Sequence, residues 1–301
     1  MFVEFAPAKI NLTLRVIGRR ADGYHEIESL VVFTRPRDRL CLDPGADLSL
    51  AADGPTAPLA GDTADNLVLK AAAALRAQIP NLKVGRFALW KVLPVAAGIG
   101  GGSSDAAAAL RCLARANGLA ADDARLMRAA RQTGADVPVC LDPRPRMMRG
   151  IGDILSPALS LPDLPAVLVN PGVGVPTGDV FKALAAIRAK ESPKRQSDDP
   201  TAALARAGGA VSADQMIDAV SRSINDLEGA AISVQPLVAD VIAALRALPG
   251  CRLARMSGSG ATCFGLFDRG EAPRAARLLR RKHPGWWVKA TVLGGFAPAL
   301  Y

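Results

Sequence analysis

The chain has 301 residues, half of them apolar and 4% aromatic, with 37 Lys and Arg against 28 Asp and Glu for a formal net charge of +9. This composition excludes a disordered or fibrous chain and supplies apolar material for one large domain or two ordinary ones of roughly 100 to 200 residues each. The charge suits nucleic acid, an anionic surface or anionic small substrates, and does not choose among them.

In chain order, the predicted elements begin as a sheet. Runs of branched and aromatic residues bounded by turn formers predict strands at 2–5, 27–33, 39–42 and 87–92. Helices are predicted at 66–79, stopped by Pro80, at 105–117, capped by Gly118, and at 122–132, ending before Gly134. Proline then recurs between Pro143 and Pro165 without strand or helix periodicity, which places a domain boundary near Gly150 and divides the chain into 1–150 and 151–301. Beyond it a strand at 166–170, a helix at 177–190, a polar surface loop at 191–200, helices at 212–224 and 236–248, and strands at 252–256 and 262–267 are expected. The basic cluster at 274–283 interleaves arginines with Ala275, Ala276, Leu278 and Leu279, and reads as a helix with a solvated face over a core stripe. Both halves mix strands and helices, an α+β class.

The longest uncharged stretch, 164–178, is about 15 residues and is broken by prolines and glycines, short of the roughly 18 a membrane span needs. The N-terminus alternates and lacks a basic region before an apolar core, so no secretory signal and a cytoplasmic location are expected. Cys41, Cys112, Cys140, Cys251 and Cys263 form an odd, scattered set with no C-x-x-C pair, and His25 and His283 stand in no zinc-site spacing. Reduced thiols and no zinc chemistry follow.

The strongest chemical signal is Pro94-Val95-Ala96-Ala97-Gly98-Ile99-Gly100-Gly101-Gly102-Ser103-Ser104, which follows a predicted strand and runs into an alanine-rich helix. Glycines allow positive φ and close approach of backbone N–H groups to a ligand, and the helix N-terminus adds unpaired donors and partial positive charge. Such a segment binds anions. The plainer alternative is a flexible turn with Ser103 or Ser104 as helix cap. No lysine is followed by Ser or Thr as in a Walker A loop, Gly98-x-Gly100-x-x-Ser103 lacks the third dinucleotide-fold glycine, and there is no H-R-D loop.

The glycine segment resembles the second motif of the GHMP superfamily, the galactokinase, homoserine kinase and mevalonate kinase group. Pro7-Ala8-Lys9-Ile10-Asn11-Leu12 and Asp22-Gly23-Tyr24-His25 resemble the branch of it whose acceptor is a cytidine-diphosphate-linked methylerythritol, and Ser257-Gly258-Ser259-Gly260 is similar to the third motif. The motifs fall in family order from residue 7 to about 267; Ala96-Ala97 departs from the glycines that many relatives carry. The resemblance implies a two-domain fold, with an N-terminal ribosomal-protein-S5-like ATP-binding domain and a C-terminal ferredoxin-like substrate domain. It implies ATP-dependent phosphorylation, with Mg2+, of the C2 hydroxyl of 4-diphosphocytidyl-2-C-methyl-D-erythritol in the non-mevalonate isoprenoid pathway. A mevalonate- or homoserine-type acceptor, or a basic nucleic-acid-binding protein, are the alternatives. The implied partner is a small molecule, not nucleic acid or membrane, and the chain is expected to act as a monomer or homodimer.

Phosphoryl transfer to a hydroxyl requires alignment of donor and acceptor, neutralisation of charge on the transferring oxygens and acceptance of a proton. Asp136, in Gly134-Ala135-Asp136-Val137-Pro138, follows a helix stop, and Pro138 biases Val137 to extended geometry. Asp136 matches the family's catalytic aspartate, with turn or N-cap aspartate as the alternative. The resemblance sets Lys9 beside it to steady developing negative charge. Asn66 and Lys91 match positions around the adenosine of ATP, although Asn66 also suits a helix cap and Lys91 a solvated strand end. For the acceptor, the resemblance implies cytosine stacked between Tyr24 and Phe181 and read by His25, with Asn11 near the reacting hydroxyl and Thr177 nearby. Ser104 is assigned to the phosphate side. The metal ligands stay open.

Overall fold

A computed structural model describes residues 1–45, 47–61, 65–190, 200–201 and 211–294. Its hub is β3 (His25–Gly45), a 21-residue strand that joins the two strands predicted at 27–33 and 39–42. β1 (Phe2–Asn11) lies antiparallel to β3, with Lys9 opposite Phe33 and Asn11 opposite Val31 and a register shift between Pro7 and Lys9. Pro36 falls within that bulge, so its missing N–H removes no ladder bond and the strand continues.

β2 (Arg15–Arg19) and β6 (Arg146–Gly150) also pair with β3, and the short β7 (Ile154–Leu155) pairs with β6. β4 (Ser49–Asp53) runs parallel to β5 (Val84–Trp90), which pairs with the far end of β3. The C-terminal half adds β8 (Leu164–Asn170), β9 (Cys251–Met256), β10 (Cys263–Phe267) and β11 (Trp287–Gly294). The main path of the sheet is β4-β5-β3-β11-β8-β10-β9, so β11 bridges the halves through Leu293 opposite Thr34 and Gly294 opposite Phe33. The sheet therefore runs across the boundary expected near Gly150. No strand is predicted from the sequence at β11, although Trp287, Val288, Thr291 and Val292 are strand formers.

Helices α1 (Leu67–Arg76), α2 (Gly101–Ala116), α3 (Ala124–Thr133) and α4 (Val137–Leu141) cover the N-terminal part. α5 (Thr177–Arg188), α6 (Ala213–Arg222), α7 (Glu228–Val234), α8 (Leu237–Arg246) and α9 (Ala272–Lys282) serve the C-terminal part. Ala106 to Ala109 are all fully buried in α2, and such small side chains let a helix lie close to its neighbours. Phe33, Phe87, Phe264 and Phe267 are the largest wholly buried side chains, each stabilising the fold by roughly 1.5 to 3 kcal/mol. One apolar cluster joins Ile10 and Leu30 of the N-terminal half with Leu168 and Phe264 of the C-terminal half.

In the basic helix α9, Ala275, Ala276 and Leu279 are buried as expected, but Leu278 is 41% exposed. Adjacent leucines point about 100° apart on a helix, and only one reaches the core. The loop expected at 191–200 lies, apart from Pro200, outside the described residues. Among the described residues no helix is long and apolar enough to cross a membrane.

Candidate active site

The glycine segment leaves β5 and turns into α2 four residues earlier than its sequence predicts. Gly100, with φ of +61°, is the N-cap, and no side chain caps the helix. Ser103 and Ser104 lie inside the first turns, which overturns their reading as caps. Ser104 is turned inward: its Oγ donates to the Pro7 carbonyl at 2.5 Å and the residue is buried. The opening N–H groups of α2, from Gly101 to Ser103, have no carbonyl one turn back, which leaves an anion-binding helix end.

Two further backbone features fix the loop. A Cβ on Gly98 (φ +72°) would lie 2.6 Å from the Gly260 carbonyl and 2.7 Å from that of Ser257; one on Gly258 would lie 2.8 Å from the Gly98 carbonyl. The loop and the turn 257–260 thus pack backbone on backbone, closed by Thr262 N–H to the Ala97 carbonyl at 3.1 Å and Ser257 Oγ to the Gly98 carbonyl at 3.1 Å. Ala96 adopts a left-handed φ of +50°, a conformation costing an L-residue roughly 1 kcal/mol.

Beside this loop lies a lysine–aspartate ion pair. Lys9, buried in β1, places Nζ 3.0 Å from Asp136 Oδ2 and donates to Asn11 Oδ1 at 3.0 Å. A Cβ on Gly100 would sit 3.3 Å from Lys9 Cε and 3.8 Å from Asp136 Oδ2, so pair and loop are in contact. Asp136 is the N-cap residue of α4, yet its side chain makes no cap hydrogen bond. The carboxylate, 35% exposed, faces Lys9 instead. Val137 opens α4 and is not extended: one short helical turn overrides the preference of a residue before proline. Asn11 is held by Nδ2 donating to Ser29 Oγ at 2.7 Å and by its own N–H donating to Ser257 Oγ at 3.1 Å.

Lys91 does not end its strand in solvent. Its buried ammonium donates to Asp38 Oδ2 and Asp105 Oδ2, both at 2.7 Å, while Asp38 Oδ1 accepts from Val92 and Leu93 N–H at 2.6 and 2.9 Å. The triad ties the loop entry to the first turns of α2. Burial, opposed by the Lys91 charge, pushes the Asp105 carboxyl up to about 7, and its Oδ1 has no hydrogen-bond partner. Asn66 caps α1, accepting from Val68 N–H at 3.0 Å. It also lines a cavity of about 240 Å3 with Asp53, Gly54 and Pro58.

Farther along, the His25 ring lies directly on Phe181 of α5, centroids 4.3 Å apart and planes 15° from parallel. Tyr24 stands 60% exposed at the tip of the β2–β3 turn. Burial, then the charges of Arg19 and Arg188, hold the His25 imidazole below its usual range. Thr177 Oγ1 and Ser259 Oγ are 2.8 Å apart, which links α5 to the turn beside the glycine loop.

The structure therefore gathers Lys9, Asn11, Asp136 and residues 98–102 around one point and reaches Thr177, His25 and Phe181 through the turn 257–260. Sequence reasoning quotes that turn as a motif but assigns no role to Ser257, and it passes over Asp38, Asp105 and Ser29. Their partners lie 14 to 246 positions away, beyond any local pattern.

Family models for the GHMP kinases N terminal domain and GHMP kinases C terminal match residues 66–142 and 202–285. A 4-diphosphocytidyl-2-C-methyl-D-erythritol kinase of Methylobacterium radiotolerans is 57% identical over 97% of this chain and 99% of its own length. One of Rhodopseudomonas palustris (strain HaA2) is 59% identical over 95% and 96%. A crystal structure of a 4-(cytidine 5'-diphospho)-2C-methyl-D-erythritol kinase superposes with a TM-score of 0.75 at 36% identity, covering 98% of this chain and all of that one. A mevalonate kinase of L. major in complex with R-mevalonate, at 16% identity and a TM-score of 0.70, shares the fold.

Proposed function

The chain belongs to the GHMP kinase family, and on that premise we propose that it transfers a phosphoryl group from ATP to the C2 hydroxyl of 4-diphosphocytidyl-2-C-methyl-D-erythritol. The observation that carries the chemistry is the Lys9–Asp136 pair, 3.0 Å apart and in contact with the phosphate loop at Gly100. The first-turn N–H groups of α2 hold the ATP phosphates and place the terminal one toward that pair. Asp136 accepts the acceptor's hydroxyl proton, and Lys9, held by Asn11, balances negative charge as the phosphoryl group moves. Asn66 and the cavity beside it take the adenosine. Lys91 serves from beneath the loop, since its charge is already matched by two carboxylates.

Among the described residues no group of three or more His, Cys, Asp or Glu forms a metal cage. The donor set fits Mg2+ arriving on the ATP phosphates with water, and Asp136 offers a hard oxygen beside the loop. When bound, the ion neutralises phosphate charge. Ser104, committed to Pro7, stays out of its coordination. His25, Phe181 and Tyr24 take the cytosine, which requires the His25–Phe181 stack to open. The enzyme acts in the cytoplasm, on a small molecule and not on nucleic acid, as a monomer or homodimer.

The test is turnover of ATP with the cytidylyl acceptor, with mevalonate and with homoserine. Phosphorylation of the cytidylyl acceptor alone is expected. Phosphorylation of either other acceptor in its place overturns the reading.

A further inference from the structure

The segment 225–228, which leads from α6 into the first residue of α7, carries no catalytic group yet is hydrogen-bonded to Met256 and Gly258, to Leu14 and Val16, and to Arg188 of α5. Asn225, buried, donates through Nδ2 to the carbonyls of Met256 and Gly258, both at 2.9 Å. Its Oδ1 accepts from Leu227 N–H at 3.0 Å. Glu228 Oε2 accepts from Met256 N–H at 2.8 Å. These bonds hold both flanks of Ser257, whose hydroxyl links Asn11 to the phosphate loop.

Asp226 faces the other way. Its Oδ2 accepts from Val16 N–H at 2.7 Å and from Arg188 Nη2 at 2.8 Å, while Arg188 Nη1 donates to the Val16 carbonyl at 2.9 Å. Val16 belongs to β2, whose Arg19 pairs with His25. Arg188 lies seven residues after Phe181 on α5, hence on the same helical face. Asp226 and Arg188 thus pin together the strand pair that carries His25 and the helix that carries Phe181. Asp226 N–H also donates to the Leu14 carbonyl at 2.8 Å and Leu14 N–H to the Ile224 carbonyl at 2.9 Å, so the turn is fixed to the chain just past Asn11.

We propose that the turn 225–228 is a positioning clamp with two separable arms: Asn225 and Glu228 set the 257–260 turn against the phosphate loop, and Asp226 with Arg188 sets the His25–Phe181 distance. The assignment of the arms to ATP and to the cytidylyl acceptor rests on the proposed function. Neither arm touches substrate; each acts through the residues it holds.

The experiment compares Asn225→Ala and Arg188→Gln with the wild type in three readouts: binding of a non-hydrolysable ATP analogue without acceptor, KM for the acceptor, and the imidazole C–H proton resonance of His25. With only two histidines, His283→Gln assigns the spectrum. At about pH 8.5 the imidazole is neutral, so a shift reports stacking and not charge. Asn225→Ala is expected to weaken analogue binding roughly 3- to 30-fold and leave the His25 resonance in place. Arg188→Gln is expected to move that resonance downfield as the stack loosens and to change the acceptor KM by a similar factor, with analogue binding unchanged. Should Asn225→Ala not fold, Glu228→Ala loosens the same turn. Parallel changes in every readout that track a lowered melting temperature, or no change in any, overturn the clamp. Failure of the wild type to use the acceptor overturns the proposed function alone, since analogue binding and the His25 resonance still judge the clamp.

Discussion

Lys9 Nζ and Asp136 Oδ2 meet at 3.0 Å across two elements, β1 and the start of α4, that lie 127 positions apart in the chain. Asn11 holds the same ammonium at 3.0 Å, and the part-exposed carboxylate lies beside the loop at Gly100. Replacing Asp136 with Asn keeps the shape and removes the proton acceptor. Turnover with the cytidylyl acceptor is expected to fall by about 100-fold or more, with binding of an ATP analogue held within a few-fold. Near-full turnover in this variant would make Asp136 structural.

The backbone contact between Gly98 and the 257–260 turn leaves no room for a side chain. Gly98→Ala sets a methyl against two carbonyl oxygens at 2.6 and 2.7 Å in a left-handed conformation. Loss of ATP-analogue binding is expected, together with a lowered denaturation midpoint; a variant that binds normally would show that the loop moves freely from the turn.

Ala96 provides the converse case. At φ +50° it carries a strain that glycine lacks, so Ala96→Gly is expected to change stability only slightly: relief of about 1 kcal/mol is opposed by the extra freedom of glycine in the unfolded chain. A loss above about 2 kcal/mol in urea unfolding would show that the methyl group packs.

The Asp38–Lys91–Asp105 triad predicts a pH signature. The folded chain holds a proton on Asp105 up to about pH 7, whereas an unfolded aspartate releases it near 3.8. In that window the native state binds more protons than the unfolded state, so this group's contribution to stability falls as pH rises. Asp105→Asn removes the contribution. Its urea midpoint relative to wild type is expected to rise between about pH 4 and pH 7, by on the order of a few kcal/mol in stability, and to level off above. A constant difference across that range would show that Asp105 does not titrate there.

Phe181 offers the face on which His25 now rests. Phe181→Ala is expected to raise KM for the cytidylyl acceptor by roughly 5- to 150-fold, from about 1 to 3 kcal/mol of stacking, while ATP-analogue binding stays unchanged. Equal losses for both ligands would separate Phe181 from the acceptor site.

How much of this was legible beforehand differs by element. Local chemistry announced the glycine segment, the alternative reading of Asn66 as a cap and most helix and strand positions, because propensity, capping and periodicity act within a few residues. β11 was missed although it is rich in strand formers, and the merger of two strands into β3 was hidden because Pro36 reads as a breaker until its bulge is known. Lys9, Asn11, Asp136, Tyr24, His25 and Phe181 were singled out by the resemblance to the GHMP kinases. The sequence by itself determined a glycine-rich helix start with free N–H groups and a set of chemically apt side chains, because backbone freedom, helix dipoles and side-chain chemistry are local properties. Only the tertiary structure decided that Gly100 caps the helix, that Ser104 turns inward, that Lys91 is spent on two buried carboxylates and that Asn225 and Asp226 span the site. Those outcomes depend on which distant groups burial brings within hydrogen-bond reach, and a buried donor or charge must take whatever partner the packing supplies.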